Sequence, residues 1–327
     1  MRASDRWVRG YNRREREEAI LQKRLLIVAV VAAAGLATSR VPSQAQDRGG
    51  GRGGRGAAAP DPVEKAVQLK PDLYYVPGAG ANAVIRVTPE GLILIDTKNP
   101  GAEIATALVE QIKTISNLPV KYVFNTHHHP DHTGNNQTFI AQGAPVIGLE
   151  KMKQLMITDP RTKDIPGPPT VTFPKDYTLR FGGATVEAHF YGASHTGGDT
   201  VVYLPDKRFV MVSDTIPVAS PTPGIGFGGN GGSAVQVPGL LDSILRLDWD
   251  VALAGRGGPM TRAEVQAYKG KWDTFMTRVK DAISKGATKE TLASQVKQDD
   301  LGWNFNASFF GNLYDELQAN PKGEPRL

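Results

Sequence analysis

The 327-residue chain has no cysteine, so its fold contains no disulfide, and any metal site must be built from histidine and carboxylate instead of thiolate. Histidine is itself scarce, with six in the whole chain, so each imidazole can be weighed individually. There is no Walker loop, and no G-x-G-x-x-G stands between a strand pattern and a helix pattern; the usual nucleotide-binding signatures are absent. The apolar run "LLIVAVVAAAGLATS" at residues 25–39 falls short of the roughly 20 residues that span a bilayer comfortably. No basic surface is implied for the folded part either. Of 38 Lys+Arg and 33 Asp+Glu, the first 45 residues hold 9 and 4, which leaves the remainder balanced and makes the net charge of +5 a property of the leader.

That leader, residues 1–45, reads as a targeting segment: an Arg-rich start ending in Lys23 and Arg24, the apolar run, then the small residues Ser43 and Ala45. A cleaved signal peptide is favoured over a permanent membrane anchor, and both put the domain outside the cytoplasm, periplasmic or secreted. Residues 46–60, including "DRGGGRGGRGAAAP", have neither apolar periodicity nor bulk and read as a flexible tether, in preference to an RNA-binding Arg-Gly segment.

Residues 61–327 carry the pattern of one domain. Two β-rich runs flank a Pro-Glu-Gly turn in "NAVIRVTPEGLILIDT", ending at Asp96. A helix follows, with Ile104, Leu108, Ile112 and Ile115 on one face, then the strand "VKYVFN". A second β-rich half runs through "DYTLRF", "TVEAHFY" and "TVVYLPDKRFVMVSD". A helix over residues 237–247, the strand "DVALA", a long helix over 262–284 and two more near 289–297 and 307–319 complete it. Two strand-rich halves interleaved with helices predict an α/β fold of four layers, an αββα sandwich. The helices past residue 287 have three roles open to them: a cap over the site, a dimer interface, or part of the core.

The strand at residue 120 runs into "THHHPDH", which puts His127, His129, Asp131 and His132 within six positions. Side chains alternate along an extended segment, so His127 and His129 point one way and His128 the other. Asp131 and His132 follow Pro130, at the turn before a helix predicted to start near Gly134, where a change of direction aims both at the same cavity. His195, in the Gly-rich loop "GASHTGGD", and Asp214, at the end of "RFVMVSD", are candidates for the same site. His189 lies inside a strand pattern and is the histidine least suited to a metal. Imidazole and carboxylate are the usual zinc ligands where thiolate is missing, and iron and manganese accept the same types.

The H-x-H-x-D-H string, the later His before Thr-Gly-Gly and the Asp after an apolar strand resemble the metallo-β-lactamase-fold hydrolases over residues 70–262. The resemblance implies the αββα sandwich. It makes His127, His129 and His195 the first metal site, with Asp131 and His132 in a second and Asp214 bridging the two. A bridging Asp is most similar to the glyoxalase-II-like branches. The activity implied is a zinc-dependent hydrolase, in which a metal-bound hydroxide cleaves an ester, thioester, lactone or amide (lactam) bond of a small-molecule substrate. Asp96, Thr126, Thr196 and Asp199 are candidates for the outer hydrogen bonds that orient such ligands, or else plain turn residues. The irregular stretch "SPTPGIGFGGNGG" at 220–232 reads as a substrate-lining loop.

The pattern breaks at "AGRGGPM", residues 254–260. Arg256 stands where the family has a His of the second site, and no His follows His195. Arginine stays protonated and is a poor ligand, so one zinc ion is firm and a second is weakened. Three readings follow. A hydrolase works mainly with one metal, Asp131 orienting or deprotonating the water and Arg256 binding an anionic substrate group or the developing oxyanion; or Arg256 turns outwards and two ions bind; or the chain is a metal-binding or ligand-binding protein that has lost catalysis.

Overall fold

A computed structural model describes residues 61–218 and 220–325. The predicted leader and tether, residues 1–60, lie outside the described residues, and among those described no helix is long and apolar enough to cross a membrane.

The described strands form two sheets, each from one half of the chain. The first holds β1 (Val67–Lys70), β2 (Leu73–Val76), β3 (Ala83–Thr88), β4 (Gly91–Ile95), β5 (Val120–Phe124), β6 (Val146–Leu149) and β7 (Val171–Phe173), in sequence order. The second runs from β8 (Asp176–Phe181) through β9 (Ala184–His189), β10 (Val201–Leu204), β11 (Phe209–Ser213) and β12 (Val251–Ala254) to β13 (Pro259–Met260). Tight turns give antiparallel neighbours, as at β3/β4 and β10/β11. Where a helix intervenes the pairing becomes parallel, because a parallel partner needs a crossover. Thus α1 (Ala102–Ile115) joins the parallel pair β4/β5, while α2 (Pro130–Thr133) and α3 (Asn136–Ile140) lie between β5 and β6. Next, α4 (Glu150–Thr158) lies between β6 and β7, and α5 (Val237–Arg246) between β11 and β12. At the C-terminal end α6 (Arg262–Ser284) starts on a Thr261/Glu264 capping box, followed by α7 (Leu292–Gln295) and α8 (Ala307–Ala319).

Alternation along the strands builds the layers. In β4, Ile93 and Ile95 join the core between the sheets, together with Val202, Leu204, Phe209 and Met211 of the second sheet. Leu92 and Leu94 point the other way, onto Leu108 and Ile112 of α1. In β10 and β11, Val201, Tyr203, Val210 and Val212 face outward onto α5, α6 and α8. The predicted αββα sandwich is what the chain forms, because each central strand is apolar on both faces and each face needs a cover. The predicted helix at 289–297 shortens to α7, and α4, the edge strands β1, β7 and β13 and the inner strand β2 join the elements read from the sequence.

One edge of the sandwich collects the ends of five strands. β4 and β5 run parallel, as do β11 and β12. β9 is antiparallel to β10, which is antiparallel to β11, so β9 ends at the same edge as β11. The turns after these strands carry Asp96, His127–His132, His195, Asp214 and Arg256.

Candidate metal centre

The chain bends after β5 over residues 126–129, and His129 itself is extended, at φ −61°, ψ 151°. His127 and His129 face the centre, while His128 turns away to meet Asp159, Nε2 to Oδ2 at 3.2 Å. The helix begins at Pro130, four residues before the predicted start. Proline has no N–H to leave unpaired and a φ already helical, so it suits the first helical position. Asp131 and His132 therefore sit in the first turn of α2, which swings them back towards the strand end.

His127, His129 and His195 each offer a nitrogen, and these lie within 4.8 Å of one another. His195 Nε2 approaches His129 Nδ1 to 2.9 Å. The Nδ1–H of His195 donates to the Gly224 carbonyl at 2.6 Å, which leaves the Nε2 lone pair to the centre. His127 Nε2 is buried without a hydrogen-bond partner. An unpartnered imidazole nitrogen that converges with two others is free to act as a ligand atom, so these residues fit a divalent metal. Burial, reinforced by the surrounding imidazoles, pushes His127 and His129 well below the usual histidine range. Both stand neutral, the form a metal requires.

Four outer residues weighed from the sequence hold these rings. Asp96 is fully buried and accepts from Thr126 N at 2.8 Å, Thr126 Oγ1 at 2.7 Å and His132 Nδ1 at 2.7 Å. It does so from a left-handed backbone, φ 61°, a conformation costly for a side chain with a Cβ and often kept at functional sites. Asp199 takes Ser194 N, Ser194 Oγ, Thr196 N and Thr196 Oγ1 at 2.5–3.1 Å, closing the turn that presents His195. Sequence reasoning passed over Ser213, whose Oγ lies 2.7 Å from Thr126 Oγ1. It also missed Lys98, fully buried, with Nζ donating to the carbonyls of Val76, Pro77, Gly78 and Ala81 at 2.7–3.2 Å. Burial drives the Lys98 pKa down to about 7, and this carbonyl cage anchors the loop that ends at Asn82. The only signal for either was adjacency to a site residue.

The other half of the centre is arranged differently. His132 Nε2 lies 3.5 Å from Asp131 Oδ2 and 3.5 Å from Asp214 Oδ1. The Arg256 guanidinium enters between the same two carboxylates, Nη1 to Asp214 Oδ2 at 3.2 Å and Nη2 to Asp131 Oδ2. Asn82 fixes the Arg256 loop, its side chain donating to Ala254 O at 3.0 Å and Gly257 O at 2.9 Å and its N–H to Gly255 O at 2.7 Å. Gly255 admits no side chain, since a Cβ there would lie 1.8 Å from Asp214 Oδ1. Burial alone would lower the His132 pKa, but the Asp131, Asp96 and Asp214 carboxylates push it well above the ordinary value. Burial would raise Asp214, yet His132, His195 and Arg256 hold it far below the carboxylate range. A second ligand group, His127, His132 and Asp214, shares His127 with the first and leaves Asp131 to Arg256. His189 is remote, paired with Asp176 at 2.8 Å and Glu187 at 3.2 Å.

This arrangement, imidazoles and carboxylates on strand ends at one edge of an αββα sandwich, matches a family model described as the metallo-beta-lactamase superfamily over residues 75–255. The chain belongs to the metallo-β-lactamase superfamily. Within it, the chain is 27% identical over 188 residues to the 2,4-dinitroanisole O-demethylase subunit alpha of Nocardioides sp. (strain JS1661), covering 55% of this chain and 53% of that one. It is 31% identical over 126 residues to metallo-beta-lactamase IND-1 of Chryseobacterium indologenes, covering 38% of this chain and 50% of the relative. The chain thus spans about half the length of these curated relatives. A solved metallo-beta-lactamase from Pontibacter korlensis superposes with a TM-score of 0.56 at 22% identity, over 64% of this chain and 99% of that one, a likeness of fold.

Proposed function

We propose that this superfamily member is an exported hydrolase that works with one zinc ion, held by His127, His129 and His195, on an ester, thioester, lactone or amide bond of a small molecule. The observation that carries the one-metal reading is the inward guanidinium of Arg256 between Asp131 and Asp214. It engages Asp131 and Asp214, two carboxylates a second cation would draw on, and it carries a positive charge of its own. The outward orientation that a two-metal site needs finds no support in this geometry. Export rests on the leader's composition.

When bound, zinc supplies a Lewis acid that polarises the scissile carbonyl and lowers the pKa of a water towards neutrality. The chain's own groups do the rest. His195, with its tautomer set by Gly224, His129, and His127, with its lone pair buried, would hold the ion and leave a place for water. Asp131 spends one oxygen on Arg256 and orients the attacking water with the other. Arg256, at the rim and 27% exposed, faces the negative charge that builds on the carbonyl oxygen. The relatives named as a lactamase and an O-demethylase attack different bonds, so the bond class rests on the shared centre and not on either name.

Metal analysis of the purified full chain after dialysis, beside a hydrolysis panel of lactams, thioesters, lactones and carboxylic esters, tests this. One zinc per chain and activity abolished by His127→Ala are the expected results. Two tightly held ions would overturn the one-metal reading. Zinc binding with every panel member left intact would make the chain a binding protein.

A further inference from the structure

The loop over residues 220–232 has a few bonds within itself, such as Gly232 N to Gly226 O at 2.7 Å, but little regular structure. It contains six glycines, and its only regular piece is the 3-10 turn Gly228–Asn230. Glycine loses the most conformational freedom on ordering, so a loop of this composition keeps one shape only if something else holds it. Yet this loop carries Gly224, whose carbonyl fixes the His195 tautomer, and Gly226, whose N–H donates to His195 O at 2.9 Å. Gly197 N donates back to Asn230 O at 2.7 Å, and Ser233 N to Ser194 O at 3.0 Å. The third imidazole thus depends on the shape of a loop with little stiffness of its own.

The C-terminal segment grips that loop at three places. At its start, Asn304 N donates to Thr222 Oγ1 at 3.0 Å. In its middle, the Phe227 ring meets the edge of Phe309 in α8, centroids 5.4 Å apart. Phe309 is in turn stacked on Phe305 at 3.7 Å, within the aromatic cluster that includes Trp272, Phe275 and Trp303. Just past its end, the Glu316 carboxylate of α8 accepts from Ser233 Oγ, from Ala234 N at 3.1 Å and from Val235 N at 3.4 Å.

We propose that residues 303–319 are the positioning element for His195, acting through this loop, with Phe309 and Glu316 as the positioning residues. The inference rests on the reading of His195 as a metal ligand. It gives the C-terminal helices a task in the site beyond finishing the core. Loss of the brace loosens the loop, frees the His195 ring from its Gly224 partner and weakens metal binding, as loss of an outer-sphere partner does, by roughly 10–100-fold.

The test uses the full chain carrying Phe309→Ala, Phe309→Leu, Glu316→Gln or, as a control, Leu313→Ala, a fully buried position of the same helix. Two readouts are taken: zinc affinity by competition with a chelating dye, and hydrogen exchange of the loop amides in metal-free protein. Phe309→Ala and Glu316→Gln should weaken zinc about tenfold or more and speed exchange at Gly226 and Gly232, with Phe309→Leu restoring most of both. Leu313→Ala should lower stability while leaving zinc affinity within about twofold of wild type, since its aliphatic side chain gives the loop no hydrogen bond and sits in the core the loop packs against. Equal zinc loss in Leu313→Ala, or unchanged loop exchange in Phe309→Ala, overturns the proposal. Should the unaltered chain take up no zinc, the metal reading fails, and loop exchange alone decides whether the brace exists.

Discussion

On one side of His127 three imidazoles converge, two of them held neutral by burial and by each other. On the other side Asp96, Asp131 and Asp214 surround a His132 that they keep charged, and Arg256 adds a guanidinium between two of them. The first half presents three imidazoles, with the Arg161 guanidinium 3.1 Å from His129 Nε2 on its outer side, an arrangement that leaves the inner nitrogens to a cation from outside. The second has already gathered cations from the chain and is close to electrically balanced. Two sites built from the same residue types can therefore differ in kind: His127 Nε2 and His132 Nε2 are both buried without a hydrogen-bond partner, and what separates the halves is the charge gathered around each.

The contrast breaks most sharply at the first half. His127→Ala removes one of three ligands that together share on the order of 12 kcal/mol of zinc affinity, so affinity should fall by about 10³-fold. Isothermal titration with zinc measures it. His132→Ala should leave the first ion bound within about tenfold, and an equal loss from both substitutions would show one joined centre in place of two unlike halves.

The second half breaks next. Arg256→Ala leaves Asp131 and Asp214 facing each other inside the protein with only His132 between them. Removing one partner of a largely buried ion pair costs about 3 kcal/mol, so the metal-free chain should lose roughly that much in urea unfolding. Excess zinc should restore part of it by entering the space vacated, and Arg256→His should raise the stoichiometry towards two. A stoichiometry of one in both variants would mean that the guanidinium was not what kept a second ion out.

How far the sequence carried this reading depends on distance along the chain. His127, His129, Asp131 and His132 are legible because they are contiguous and strand alternation sorts their directions. The central strands are legible because each is apolar on both faces. Arg256 was legible as a departure, but its direction was not, since a long side chain on a glycine loop is aimed by Asp131 and Asp214, 125 and 42 residues away. Lys98 and Asn82 escaped notice for a similar reason: their partners are backbone carbonyls, which no residue type announces. The short helix at Pro130 was placed late because four residues show no period to read.

A smaller effect follows from the protonation of the two halves. A group whose folded pKa is raised adds stability that is complete below its unfolded value and is lost as pH climbs through the folded one. For His132 that window opens above 6.5. His127 and His129, lowered instead, detract from stability as pH falls below 6.5, where the unfolded chain takes up protons they refuse. Histidine contributions to the metal-free protein therefore decline on both sides of about 6.5, and saturating zinc should raise the curve without flattening the acid side, since bound imidazoles take up no protons. Urea unfolding with a chelator between pH 5 and 9 follows both limbs, and Asp96→Asn should shorten the alkaline one. Stability that keeps rising above 6.5 would show His132 neutral and the second half open to metal.

The smallest effect belongs to the sixth histidine. His189 and His195 are six residues apart, yet His189 stays inside the β9 ladder, paired in register with Asp176 and Val201. His195 lies beyond the strand end, at the edge where the parallel strands finish. A ladder position fixes a side chain to one face of a sheet and leaves it no reach towards the centre, whereas a turn closed by Asp199 can aim one there. His189→Gln gives up contacts to two partly exposed carboxylates, so it should shift stability by no more than about 0.5 kcal/mol and leave zinc stoichiometry unchanged. Metal analysis of that variant sharpens the comparison, because zinc lost with His189 would mean that ligands are chosen by residue type along the strand and not by position past its end.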